Sequence, residues 1–324
     1  MNTPVPDIMR TAKQIACDGW LQVLRIGTLL SVACLQACST TELLTVPDVQ
    51  SFGVTDKGQV QHVSKAVPGL TVMTLNMAHG RGDSFHQLLQ TTDTTLGNLE
   101  AIAAMLNREQ PDVIALQEAD GPSFWSGNFN HVAYLAERSP YSWAVNGQQV
   151  AGIGLVYGTA LLSGLELQQP QAITFDPSLA MIRKGFVVST IDWPGQPDVQ
   201  VDIVSVHLDF SSEYTRRQQA RELIAVMRDR GRPMIVMGDL NTDWHPENST
   251  VRLITDELDL NPHNPEAQGL ETFPFSGKRL DWILLSKNLE FSSYRVVADV
   301  LSDHLGVVAK VVLKKPAEYA LATY

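Results

Sequence analysis

The sequence predicts an α/β domain with layered β-sheets. Many apolar runs of strand length are interspersed with a few longer stretches of helical period, a mixture that fits sheets covered by helices. Several runs are apolar at nearly every position, as strands covered on both faces require. At 324 residues and 44% hydrophobic the chain can bury a sizeable core, and α/β folds of this length are often single domains.

"LTVMTLNMA" (Leu70 to Ala78) reads as a strand, and "LGNLEAIAAMLNREQ" carries Leu96, Leu99, Ile102, Ala103 and Leu106 at helical spacing. Pro111 stops that helix, and "PDVIALQEAD" follows as a second strand. "GIGLVYGTALLS", "KGFVVSTIDW" and "VQVDIVSVHLDF" read as further strands, the last leading into a helix, "EYTRRQQARELIAVMRDR". "RPMIVMGDLN" is another strand and "ENSTVRLITDEL" a helix. "RLDWILLS", "SYRVVADV" and "LGVVAKVVL" close the chain as strands.

The first segment reads as an address. Arg25 precedes an apolar stretch from Ile26 to Ala37, too short to span a bilayer and suited to a signal-peptide core. It ends "LQAC", which resembles the lipobox of bacterial lipoproteins and would make Cys38 the lipidated first residue, although Gln36 departs from the small residue usual there. A short buried helix, or a signal cut without lipidation, is the other reading. The expected division is a signal segment 1–37, a polar tether 38–68, a main domain 69–315 and a tail 316–324. The three cysteines, Cys17, Cys34 and Cys38, all lie near the start, so no disulfide framework exists in the main domain. The formal net charge of -11 excludes a general pull toward polyphosphate and counts against a DNA coat or architectural protein. An enzyme remains possible, because its positive charge can sit locally in a metal ion.

Several strands share a feature: apolar residues lead into a polar or acidic group where the strand stops. They are "TLNMA" with Asn76, "ALQEAD" with Glu118, "SVHLD" with His207 and "VMGDLN" with Asp239 and Asn241; "RLDWILL" and "SDHLG" add Asp281, Asp303 and His304. Taken singly, each has an ordinary explanation as a cap, a turn or a hydrogen-bonded core histidine. Gathered in one concavity they would be costly unless a cation or strong hydrogen bonds offset desolvation and repulsion.

The ordered set "TLNMA", "LQEAD", "SVHLD", "GDLN", "RLDWILLS" and "SDHLGV" resembles the endonuclease/exonuclease/phosphatase superfamily, which includes DNase I-like nucleases, sphingomyelinases and inositol-polyphosphate phosphatases. The resemblance covers about Leu70 to Leu313 and implies a four-layered sandwich of two mixed β-sheets flanked by helices. It implies a divalent ion, Mg²⁺ or Mn²⁺, with Glu118 as its principal ligand and Asn76 and Asp303 assisting. Asp239 would orient and deprotonate the attacking water while Asn241 holds that water or a phosphate oxygen. His304, its ring held by Asp281, would donate to a non-bridging phosphate oxygen, and His207 would contact the phosphate or its leaving oxygen. Asp243 reads as a loop or cap residue.

Loops choose the substrate in such a fold. Phe124, Trp125 and Phe129 are expected to pack onto their own domain, and Arg216 and Arg217 to be solvated helix residues; Lys278 and Arg279, preceding Asp281, are better placed to meet an anion. The expected activity is an exported, metal-dependent phosphoesterase of the bacterial envelope, acting on a lipid headgroup or on nucleic acid and held to the membrane by its N-terminal lipid. No protein partner is inferred for it. A non-catalytic lipoprotein using the same fold to bind a partner is the competing reading, which loss of Glu118, Asp239 or His304 would have favoured.

Overall fold

In the computed structural model, residues 44–45, 48–51, 69–84, 87, 90–152, 154–176, 183–245 and 249–314 are described. Residues 1–37, Cys38 and the 316–324 tail lie outside them. Among the described residues, fourteen strands form two seven-stranded sheets.

The first sheet contains β1 (Leu44–Thr45), β7 (Gln168–Thr174), β8 (Gly185–Trp193), β9 (Gln196–His207), β10 (Met234–Asp239), β12 (Asp281–Ser286) and β11 (Leu260–Pro262), in the order β1-β7-β8-β9-β10-β12-β11. The second contains β13 (Leu289–Val296), β14 (Val307–Leu313), β3 (Leu70–Asn76), β4 (Val113–Asp120), β6 (Leu155–Ser163), β5 (Trp143–Gly152) and β2 (Asp48–Ser51), in the order β13-β14-β3-β4-β6-β5-β2. Both sheets are mixed: β9 and β10 run parallel, as do β3 and β4, and the other neighbours are antiparallel.

Period-two alternation sorts the side chains into layers. Between the sheets lie Leu70, Val72, Val113, Ala115, Ile203, Ile235, Met237, Ile283 and Leu285. The opposite faces of the same strands, through Met73, Leu75, Ile114 and Leu116, pack on α1 (Thr92–Glu109) and α2 (His131–Glu137). Val204, Val206, Val236 and Leu284 pack on α3 (Glu213–Arg230) and α4 (Thr250–Leu258). The four layers follow: helices, sheet, sheet, helices. The expected fold class is the observed one.

The same alternation places the polar strand ends. Asn76 shares the inward parity of Leu70 and Val72; His207 shares that of Ile203, Asp239 that of Ile235 and Met237, and Asp281 that of Ile283. Asp239 pairs in register with His207 on one side and Asp281 on the other, so three of these groups stand side by side. Beneath them the sheets are tied by a buried polar chain: Thr74 Oγ1 donates to Gln117 Oε1 (3.2 Å), Gln117 Nε2 to Ser205 Oγ (3.0 Å), and Ser205 Oγ to the Leu116 carbonyl (2.9 Å).

Glu118 breaks the alternation. Strict parity would send it to the helical face with Ile114 and Leu116, but its φ of 49° and a register shift between Leu116 and Ala119 mark a bulge that turns it toward the inner side.

One expectation is corrected. Segment 38–68 is not a tether throughout, because Leu44–Thr45 pairs with Ile173 and Ala172 while Asp48–Ser51 pairs with residues 143–146, each extending a sheet edge. Strands β5 and β7 and helix α2 carry no clear periodic signal. β7 reads "QQPQAIT", and its Pro170 falls in the register shift between Gln168 and Gln171 that interrupts the ladder to β8, where a missing N–H is tolerated.

Gly238, just before Asp239, has φ of 148°, and a methyl there would fall 1.9 Å from the Val206 carbonyl oxygen. Gly238→Ala is expected to lower stability by more than about 2 kcal/mol, read as a reduced urea midpoint; an unchanged midpoint would show that the strand can yield there.

Candidate active site

The strand ends open into a cleft of about 480 Å³ lined by Asn76, Arg81, Glu118, Lys184, His207, Phe210, Arg216, Asp239, Asn241, Phe273, Ser276, Lys278, Leu280, Asp303 and His304. Asp281 stands behind His304, fully buried. The structure therefore brings together Asn76, Glu118, His207, Asp239, Asn241, Asp281, Asp303, His304 and Lys278 from separate stretches of chain.

Asp239 is the centre of one half. Its Oδ2 accepts from Asn76 Nδ2 (3.0 Å) and Asn241 Nδ2 (3.2 Å), its Oδ1 accepts from the Asn241 backbone N–H (2.9 Å), and His207 Nε2 lies 3.3 Å from Oδ2. Asn241 reaches this position through a left-handed backbone, φ 51°. Burial would raise the Asp239 carboxyl, but the His304 charge, the His207 hydrogen bond and the Asn76 amide outweigh it and hold the group at about 2.

His304 completes that half. Its Nδ1 contacts Asp281 Oδ2 at 2.8 Å and its Nε2 lies 3.8 Å from Asp239 Oδ2. Asp281 is fixed by its strand and by the Thr272 hydroxyl, which accepts from the Leu280 and Asp281 backbone N–H groups at 3.0 Å each. Burial would lower the imidazole pKa; the charges of Asp281 and Asp239 reverse this and raise it to about 10. The ring is an imidazolium at neutral pH. Asp239, Asp281 and His304 offer ligand atoms within 4.8 Å of one another, a closeness that an imidazolium between two carboxylates accounts for.

Glu118 centres the other half. Lys184 Nζ lies 3.5 Å from its Oε1; His79 Nε2 and Arg81 lie 3.3 and 3.7 Å from its Oε2. Burial opposes the charged form, yet His79, Lys184, His207 and Arg81 together hold Glu118 well below the usual carboxylate range. Arg81 also pairs with Asp303, so one guanidinium joins the two acids. Lys184 Nζ is within 2.9 Å of the His207 ring, and burial followed by the Lys184 charge pushes that imidazole down, leaving it neutral.

Arg279 is a correction. It is 4% exposed, donates to the His263 and Asn264 carbonyls and to Tyr294 Oη, and stacks over the Trp282 ring, so it is committed to the fold and does not line the cleft. Arg216, read as a solvated helix residue, lines the cleft instead and donates to the Asp209 carbonyl at 3.1 Å. Trp125 and Phe129 pack down as expected, whereas Phe124 is 62% exposed. Asp243 accepts from the Trp244 backbone, a loop contact. Sequence reasoning missed His79, Arg81, Asp120 and Lys184. The signals were present: "HGRG" begins three residues after Asn76, directly after the "TLNMA" motif, and Lys184 precedes Gly185, which pairs in register with His207.

In a proton NMR titration, the His304 ring resonances should hold their protonated shifts through neutral pH and move only as pH rises toward about 10. Asp281→Asn should bring that midpoint down toward the ordinary 6.5, and a midpoint unchanged by the substitution would remove Asp281 as its cause.

Residues 73–304 match the model of the Endonuclease/Exonuclease/phosphatase family. An endonuclease/exonuclease/phosphatase from Bacteroides vulgatus superposes with a TM-score of 0.61 at 18% identity, covering 76% of this chain and 100% of that one. The catalytic domain of human Nocturnin with bound sulfate gives 0.59 at 18% identity, covering 83% and 98%. A mannosyl-6-phosphatase from Bacteroides thetaiotaomicron gives 0.55 at 17% identity, covering 75% and 100%. At these identities the structures show a shared fold; no curated protein sequence matches. The chain therefore belongs to the endonuclease/exonuclease/phosphatase family, whose members hydrolyse phosphoester bonds.

Proposed function

We propose that this protein is a divalent-cation-dependent phosphoesterase that hydrolyses a phosphodiester or phosphomonoester by in-line attack of water. The observation that carries the reading is the convergence of Glu118, Asp239 and the Asp281–His304 pair on one cleft.

The donor set fits a hard cation. Glu118, Asp303 and Asn76 all line the cleft and offer it carboxylate and amide oxygens, and the basic groups gathered around Glu118 mark the negative charge there. Mg²⁺ or Mn²⁺ suits oxygen ligands. Bound there, the ion would supply Lewis-acid stabilisation of charge on a phosphoryl oxygen.

The remaining work falls to the chain. Asp239, ionised and held by Asn76 and Asn241, orients the attacking water; its lowered basicity makes it a weak proton acceptor, so alignment is its larger contribution. The His304 imidazolium donates to a non-bridging oxygen as charge builds on phosphorus. His207, neutral and beside Lys184, faces the phosphate or its leaving oxygen. Lys278 and Arg216 add positive charge to the cleft wall. No covalent enzyme intermediate is required.

The rim favours a phosphoester bearing an apolar body, such as a phospholipid cleaved at its headgroup, over nucleic acid. Phe210 lines the cleft and is 60% exposed; Phe275, 81% exposed, neighbours Phe273, whose ring lies 4.8 Å from that of His304. The net charge of -11 gives no backbone-tracking attraction. Export and anchoring through Cys38 belong to the same reading and rest on the "LQAC" context.

With sphingomyelin, phosphoinositides, DNA, RNA and simple monoesters as a panel, the Mg²⁺-loaded protein is expected to hydrolyse a lipid substrate best. EDTA should abolish the activity and Asp239→Asn should lower kcat/KM by roughly 10²–10⁴-fold. Activity indifferent to both would defeat the mechanism, and a preference for DNA would defeat the substrate class. In a bacterial host, Cys38→Ser should move the protein from the membrane to the soluble fraction; continued sedimentation with membranes would defeat the lipid anchor.

A further inference from the structure

Directly after Asn76 the chain enters a 3₁₀ turn, Ala78–Gly80, in which three successive residues have left-handed backbones: Ala78 (φ 46°), His79 (φ 55°) and Gly80 (φ 73°). Glycine adopts this region freely; for alanine and histidine it costs on the order of 1–3 kcal/mol each and persists only where the surroundings enforce it. The turn places the His79 ring behind Glu118, packed by Trp125 (centroids 5.0 Å apart) and by the edge of Tyr157 (4.9 Å).

Both ring nitrogens are used. Nδ1 meets Asp120 Oδ1 at 2.6 Å and Nε2 meets Glu118 Oε2 at 3.3 Å. A carboxylate only accepts, so Nδ1 hydrogen-bonds to Asp120, while the Nε2 edge faces Glu118 as an ion pair. The far oxygen of Asp120 accepts from Trp125 Nε1 (2.8 Å) and Ser126 Oγ (2.5 Å), which fixes Asp120 and, through it, the ring. Arg81 and Lys184 also approach Glu118, at 3.7 and 3.5 Å, but each is shared with other partners, Arg81 with Asp303 and the Ser84 and Ala78 carbonyls, Lys184 with His207. His79 is the nearest of the three and is itself anchored on a second acid. Its ring is covered rather than on the cleft wall, so it acts through Glu118.

We propose that His79 is a positioning residue: anchored by Asp120, it fixes the Glu118 carboxylate in the orientation that receives a divalent cation. The inference rests on the reading of Glu118 as a metal ligand. It ties the strained turn after Asn76 to the bulge at Glu118, since the turn supplies the ring that the re-aimed carboxylate meets.

Mn²⁺ binding to the purified chain, followed by electron paramagnetic resonance, tests it. His79→Asn keeps a residue type that tolerates left-handed backbone, so the fold is retained, but its side chain is too short to bridge the two acids. It is expected to weaken Mn²⁺ at least about 10-fold, in the range of losses seen when groups supporting a metal ligand are removed. Asp120→Asn is the conservative control. Its amide oxygen can accept from Trp125 and Ser126 while its NH₂ donates to Nδ1, leaving Nε2–H facing Glu118, so binding should stay within about three-fold of wild type. Wild-type Mn²⁺ affinity in a folded His79→Asn protein, or an equal loss in both variants, overturns the proposal. Glu118→Gln separates the two readings: if it binds Mn²⁺ as the wild type does, the assignment of Glu118 itself fails, whereas its loss with His79→Asn unaffected removes the role of His79 alone.

Discussion

Charge balance in a closed space is the constraint on which this site depends. Glu118, Asp239, Asp281 and Asp303 are gathered at one end of a sandwich whose interior is apolar, and like charges at that density repel strongly when water is excluded. Each is met by a specific opposite charge or amide. His304 lies between Asp281 and Asp239, Asn76 and Asn241 clasp Asp239, and His79, Arg81 and Lys184 surround Glu118. The protonation states follow from this arrangement, as does the division of labour between an ionised Asp239 and an imidazolium at His304.

The layered fold was legible because its signal is repetitive. Nearly continuous apolar runs along β3, β9, β10 and β12 mark strands covered on both faces, and α1 and α3 carry apolar residues at helical period. Polar groups standing at the ends of those runs made Asn76, His207, Asp239 and Asp281 readable as a group. Elements without a period were missed: β5 and β7 are polar and interrupted by Gly147 and Pro170, and the short strands β1 and β2 gain their pairing only from edges already built. Arg279 misled for a related reason. Its place in the chain suggested the cleft, but stacking on Trp282 and Tyr294 turns it the other way.

Several residues at the site are held off the regular backbone, among them Glu118 and Asn241, which the sequence pointed to, and His79, which it did not. Glu118 and Asn241 have positive φ, as do Ala78 and His79, and each departs from the parity or period of its neighbours. A pattern-based reading assigns such positions to the wrong face or to none. Conformational cost of this kind concentrates where chemistry needs side chains at angles a regular strand does not provide.

The pairing of Leu44–Thr45 and Asp48–Ser51 with the sheet edges has a consequence for reach. An acyl chain at Cys38 would be joined to the body by about six residues, a leash of roughly 20 Å even when fully stretched. A free linker running to residue 68 would be about five times as long. With Cys38 lipidated as proposed, so short a lead would keep the enzyme grazing its bilayer, sampling molecules in its own patch of membrane rather than those diffusing farther out.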